Sequence, residues 1–87
     1  MWFIYILETD DGRFYTGTTD DVSRRMAKHK DGKGAKFTRN FGFKELLYTE
    51  EFPTKSEALK REKKIQGWTR RKKLALMSGD LKALKEL

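Results

Sequence analysis

Residues 2–17 read Trp2-Phe3-Ile4-Tyr5-Ile6-Leu7-Glu8-Thr9-Asp10-Asp11-Gly12-Arg13-Phe14-Tyr15-Thr16-Gly17. The first six are apolar at every position, which predicts a strand buried on both faces and therefore central in its sheet. Thr9 to Arg13 suits a three-residue hairpin loop, with Asp10 and Asp11 in a type I turn and Gly12 left-handed in a bulge. That loop pairs Thr9 with Arg13, Tyr15 with Leu7 and Gly17 with Tyr5. Side chains alternate along a strand, so this register aims both phenols to one face and leaves room beside Tyr5 where Gly17 lacks a side chain. A two-residue Asp11-Gly12 turn would place the tyrosines on opposite faces instead. Tyrosine is also a common strand residue in its own right, so at this point the pair reads equally as a site or as β-propensity.

Further along, Asp20 or Asp21 caps a helix expected to reach about Lys30 and to stop at Gly32. Val22, Arg25, Met26 and His29 fall at i, i+3, i+4 and i+7, which sets Arg25 and His29 on or beside the buried stripe and turns Arg24 and Lys28 outward. A cation on a packing face needs a partner or a cleft. Arg25 is read either as a phosphate contact or as a snorkelling stem, and His29 either as a site residue or as a cation at a helix C-terminus. Residues 32–39 are expected to form a flexible loop, with Lys33, Lys36 and Arg39 as phosphate contacts or as surface residues of an ordinary linker. They do not spell a P-loop. A third strand is expected from about Lys44 to Phe52, packed through Leu46, Leu47 and Tyr48.

Thr54-Lys55-Ser56-Glu57 is a capping box, so a helix should run from Thr54 to Gln66 and stop at Gly67. Thr69 caps another to about Met77, and Asp80 a short last one carrying Leu81, Leu84 and Leu87. In the helix after Thr54, Ala58, Leu59 and Ile65 form the apolar face and Glu62 interrupts it. An unpaired buried carboxylate is costly, so Glu62 should bind a metal or pair with a cation, Arg25 being the candidate. One carboxylate without Cys suits Mg²⁺, with Mn²⁺ as a substitute, because such an ion keeps most of its waters; zinc is disfavoured by the single His and the lack of Cys.

The 87-residue chain has 20 basic and 13 acidic residues, 37% hydrophobic content and no cysteine. Those values predict one small domain, residues 1–78 with 79–87 as a helical extension, and exclude disulfides and thiolate metal sites. No stretch has the length of a membrane span or the basic start of a signal peptide, so a soluble, cytoplasmic protein without membrane contact is expected. The entire net charge of +7 resides between Lys55 and Lys73, where Lys60, Lys63, Lys64, Arg70 and Arg71 are candidate nucleic-acid contacts. Trp68, among them, is read as a core residue or as a stacking platform. A charge run of this kind also serves simply to keep a small domain soluble.

Tyr5, Tyr15-Thr16-Gly17, Arg25, His29 and Arg61-Glu62, in that order and spacing, resemble the motifs of the GIY-YIG nuclease family, in particular its small stand-alone bacterial members with a URI domain. The similarity covers about residues 2–77. Phe3 stands where the first motif has Gly, Thr16 where the second has Ile, and a late Asn of some members is absent. The resemblance implies an α+β fold with a three-stranded antiparallel sheet, first strand central, flanked by helices. It implies a metal-dependent endonuclease that hydrolyses phosphodiesters, with DNA expected over RNA and branched or damaged DNA in repair as the setting. Tyr5 would deprotonate the nucleophile, Tyr15 orient water or phosphate, Arg25 stabilise the phosphate, His29 assist proton transfer and Glu62 hold Mg²⁺. The alternatives are a non-catalytic nucleic-acid-binding module using the same basic surface and an interaction domain whose partner meets the C-terminal leucines. A monomer is the default.

Overall fold

The computed structural model describes residues 1–80. Its order is β1 (Trp2–Glu8), β2 (Phe14–Thr19), α1 (Val22–Lys30), α2 (Lys36–Phe41), β3 (Glu45–Phe52), α3 (Lys55–Gln66) and α4 (Arg70–Ser78). The strands form one antiparallel sheet in the order β2-β1-β3, so the continuously apolar β1 is central as expected.

The hairpin has the three-residue loop. Thr9 N–H donates to Arg13 O at 2.9 Å, Gly12 N–H to Thr9 O at 3.0 Å, and Gly12 adopts φ +85°. Tyr5 consequently lies opposite Gly17 and Leu7 opposite Tyr15. Ile4 and Ile6, on the face away from Tyr5, make the main core with Ala58 and Ile65 of α3 and Leu76 of α4, and Trp2, Phe14, Tyr48, Phe52, Trp68 and Met77 close its margin. Trp68 is thus a core-margin residue, flanked by Arg61 and Lys72 over its ring.

The helix ends are set by side chains. Asp21 accepts from Arg24 N–H at 3.0 Å, Thr54 from Glu57 N–H at 3.3 Å and Thr69 from Lys72 N–H at 3.2 Å, each cap contributing about 1 kcal/mol. Gly79, at φ +76°, ends α4. The short last helix expected from Asp80 falls on residues 81–87, outside the described residues.

Three expectations need correction. Residues 36–41 are helical rather than part of a flexible loop. The end of α2 is fastened to the hairpin, with Asp10 N–H donating to Phe41 O at 3.1 Å and Arg13 lying over the Phe41 ring at 4.2 Å. Leu59 is not on the apolar face: it is 42% exposed, and the inward face of α3 is Ala58 and Ile65, flanked by the half-buried Arg61 and Glu62. Finally, Glu62 does not pair with Arg25. Its bond is to β2, where Thr18 Oγ1 donates to Oε1 at 3.1 Å, and no ion pair joins it to Arg25 among the described residues.

Candidate active site

The hairpin register sends the Tyr5 ring across β2, with its hydroxyl against the bare Cα of Gly17; a Cβ there would lie 2.3 Å from the phenol oxygen. From α1, one turn apart, Arg25 and His29 converge on that oxygen. Arg25 Nε–H donates to it at 3.3 Å, and His29 Nε2 lies 2.9 Å from it. Tyr15 stands beside them, its ring centroid 6.3 Å from that of Tyr5 and 5.8 Å from that of His29, with Phe37 of α2 stacked on its other side at 5.5 Å. The four side chains that the sequence predicts for this face are therefore brought together.

Exposure divides the two phenols. Tyr5 is fully buried and Tyr15 half-buried. Burial raises the pKa of both; Arg25 opposes the rise, through its hydrogen bond at Tyr5 and chiefly through its charge at Tyr15. In return, the hydrogen bond to Tyr5 raises the pKa of Arg25, so the guanidinium stays charged. Burial, helped by the Arg25 charge, lowers the His29 pKa to about 4, which leaves a neutral imidazole at physiological pH.

The chain of bonds continues into α2. His29 Nδ1 lies 2.6 Å from Thr38 Oγ1, and Thr38 Oγ1 donates to Ala35 O at 3.0 Å. Thr38 is 2% exposed. Sequence reading missed it because it sits in a stretch with no apolar periodicity and its partner comes from another helix. Gly34 was missed too: a Cβ on it would lie 2.4 Å from His29 Nδ1.

Glu62 approaches from the other face of the sheet and around the β2 edge, where Gln66 Nε2–H also donates to Thr16 O at 3.3 Å. It is near enough for its charge to raise the pKa of both Tyr5 and Tyr15. Thr18 occupies one carboxylate oxygen, and the other has no hydrogen-bond or ion-pair partner among the described residues. No group of three metal-ligating carboxylate, His or Cys side chains occurs among the described residues. That donor set fits an ion such as Mg²⁺ that takes one protein oxygen and otherwise water and phosphate oxygens, and does not fit an all-protein cage.

The basic candidates separate into two groups. Lys33, Lys36 and Arg39 are exposed around α2, and Lys60, Lys63, Lys64 and Arg71 are exposed on α3 and α4, with no ion pair to any of them among the described residues. Arg70 is otherwise engaged, donating to Gly12 O at 2.6 Å and lying 3.9 Å over the Phe14 ring, where it braces the hairpin. Arg61 is held to Glu50 by two bonds of 2.8 and 3.0 Å. Tyr48 donates to the same carboxylate at 2.5 Å, and burial together with that bond pushes its pKa up to about 12.

Residues 1–75 match the GIY-YIG catalytic domain. A UPF0213 protein of Staphylococcus epidermidis is 49% identical over 75 residues, 86% of this chain and 92% of its own. One of Staphylococcus saprophyticus is 49% identical over 76 residues, 87% and 93% of the two chains. The solution NMR structure of the UPF0213 protein from Bacillus halodurans superposes with a TM-score of 0.56 at 50% identity, covering 90% of this chain and 84% of that one. With its central β1, its paired tyrosines and the helix that carries Arg25 and His29, the chain belongs to the GIY-YIG catalytic domain family.

Proposed function

We propose that this protein is a metal-dependent endonuclease that hydrolyses phosphodiester bonds in DNA. The observation that carries the proposal is the convergence of Arg25 Nε and His29 Nε2 on the Tyr5 hydroxyl, with Glu62 arriving at the same strand edge from the opposite face.

Each residue has a task that its surroundings suit. Arg25 gives its Nε–H to Tyr5 while the site is free and turns to a phosphate oxygen when substrate is bound, where its charge stabilises the negative charge that grows in the transition state. A phenol whose pKa is raised is a poor base alone, but Tyr5 has a neutral imidazole behind it. The water's proton passes to the Tyr5 oxygen as the Tyr5 proton passes to His29 Nε2, so the water becomes hydroxide-like, and the bound phosphate offsets the cost that burial and Arg25 set against an imidazolium there. Because Tyr5 is buried with Arg25 against its oxygen, water meets it as Arg25 turns to the phosphate. Tyr15, the half-exposed phenol, orients water or phosphate at the mouth. Glu62 would hold Mg²⁺, with Mn²⁺ as substitute, and the ion would supply Lewis-acid stabilisation of phosphate oxygens. The exposed lysines around α2 and α3 supply sequence-independent attraction to the backbone.

Branched and damaged DNA in repair is the setting we favour, and the test compares branched, nicked, single-stranded and duplex DNA and RNA with and without Mg²⁺. Arg25→Ala should reduce cleavage far more than binding, since its charge matters most in the transition state. Binding of DNA with no cleavage of any substrate would replace the proposal with a non-catalytic binding module.

A further inference from the structure

We infer that Thr38 is a positioning residue of the site: by accepting the Nδ1–H of His29 and donating to Ala35 O, it fixes the imidazole tautomer whose free Nε2 faces the Tyr5 hydroxyl. The inference rests on the reading of Tyr5 and His29 as the groups that take the proton.

The hydrogen count sets the direction of every bond. Tyr5 is fully buried, and among the described residues the only acceptor within reach of its hydroxyl proton is His29 Nε2. Arg25 Nε has only a hydrogen to offer, so it uses a lone pair of the phenol and cannot take the proton. Nε2 must then be unprotonated. A neutral imidazole has one N–H, so that hydrogen sits on Nδ1 and points at Thr38 Oγ1, 2.6 Å away. The threonine oxygen accepts it with a lone pair, and its own hydrogen goes to Ala35 O at 3.0 Å. The bonds run in one sense from Arg25 through Tyr5 to His29, and from His29 through Thr38 to the backbone. With the opposite tautomer, Nε2–H would point at the phenol and the Tyr5 proton would lie buried without an acceptor.

Two further features serve the same end. Gly34 lets the backbone pass where any Cβ would collide with Nδ1. Phe43 stacks on the imidazole at 6.3 Å, with 18° between the planes, so the ring is held against rotation. Gly34, Thr38 and Phe43 therefore act on the acid-base chemistry through His29 rather than by contact with the reacting atoms.

The test uses the full chain labelled with ¹⁵N histidine. With a single His in the sequence, a long-range ¹H–¹⁵N spectrum at neutral pH reports one imidazole, and it should show Nδ1 protonated and Nε2 bare. Thr38→Ser, which keeps the hydroxyl, should preserve that pattern and cleavage. Thr38→Val, which keeps the shape, should shift the pattern toward Nε2–H and lower cleavage at least about tenfold with little change in DNA affinity. A wild-type spectrum with Nε2–H overturns the inference whether or not the Val variant folds. So does Thr38→Val with the wild-type pattern and rate. If no substrate is cleaved while the spectra behave as described, the nuclease reading fails and the role of Thr38 in setting the tautomer stands.

Discussion

Lowering the pH should weaken this fold in a window that belongs to one residue. His29 is 2% exposed and its pKa falls from 6.5 to about 4 on folding, first because burial disfavours the imidazolium and second because Arg25 lies close by. The unfolded chain therefore binds the proton more readily than the folded one. Stability is complete above the unfolded value and declines as pH falls from 6.5 toward 4. Linkage between those two values makes the loss between pH 7.5 and pH 5 about 2 kcal/mol, a large share of the stability of a small domain. No other histidine is present, and the carboxylates with lowered pKa values, Asp11 and Glu50, lose their contribution in a more acidic range. Urea titrations at pH 7.5, 6 and 5 measure the slope, with His29→Asn as the control that should flatten it. An equal slope in the two proteins, or no slope in the wild type, would refute the assignment of a buried neutral imidazole.

Gly17→Ala should destabilise by about 1–3 kcal/mol and abolish cleavage, because the new Cβ occupies the place of the Tyr5 hydroxyl; thermal melts and a cleavage assay check both, and a wild-type melt would show that Tyr5 is free to move. Thr16→Val should raise stability by about 1 kcal/mol, since the Thr16 hydroxyl is buried with no hydrogen-bond partner among the described residues; a lowered urea midpoint would contradict this. Glu62→Gln should keep the melting temperature within about a degree or two while removing Mg²⁺-dependent cleavage, because among the described residues the carboxylate is bonded only to a hydroxyl and carries no ion pair; a variant that still cuts in Mg²⁺ would defeat the metal assignment. Duplex affinity should fall with log salt at a slope of about −0.9 per phosphate contact, read from titrations at several salt concentrations, and a flat response would remove the basic surface from the interface.

The β-sheet half of the site was legible because its geometry is counted in residues. Once Gly12 is placed left-handed, the pairing of Tyr5 with Gly17 follows by arithmetic, and the helical spacing of Arg25 and His29 follows from α1. What could not be read was whatever depends on contact across the fold. Helix α2 begins at Lys36, after Ala35 at a cap position that offers no side-chain hydrogen bond, so nothing local announces it, and Thr38 gains its meaning only when His29 arrives from another helix. Leu59 shows the opposite failure: an apolar residue near the expected stripe lies off it because α3 faces the sheet with Ala58 and Ile65. The carboxylate of Glu62 was found by its misfit to an apolar face, whereas its partner Thr18 lies 44 residues away and leaves no trace in local pattern. Arg70 was grouped with the phosphate contacts on charge alone, and charge does not disclose that the hairpin already holds it, nor that the neighbouring Arg61 is held by Glu50.

The distance along the chain between Thr18 and Glu62 also ties the site to the core. Tyr5, Tyr15, Arg25, His29 and Thr38 all lie within one short N-terminal stretch whose contacts close small loops, while Glu62 reaches β2 only after β3 has crossed to the far edge of β1 and α3 has docked beneath the sheet. Closing that longer loop adds only about half a kcal/mol of entropic cost, whereas the same helix brings Ala58 and Ile65 to the core, so the seating of Glu62 and the completion of the core are one event. The carboxylate that we propose for the metal is therefore present only in a chain whose core is closed, and a chain with α3 undocked lacks both at once.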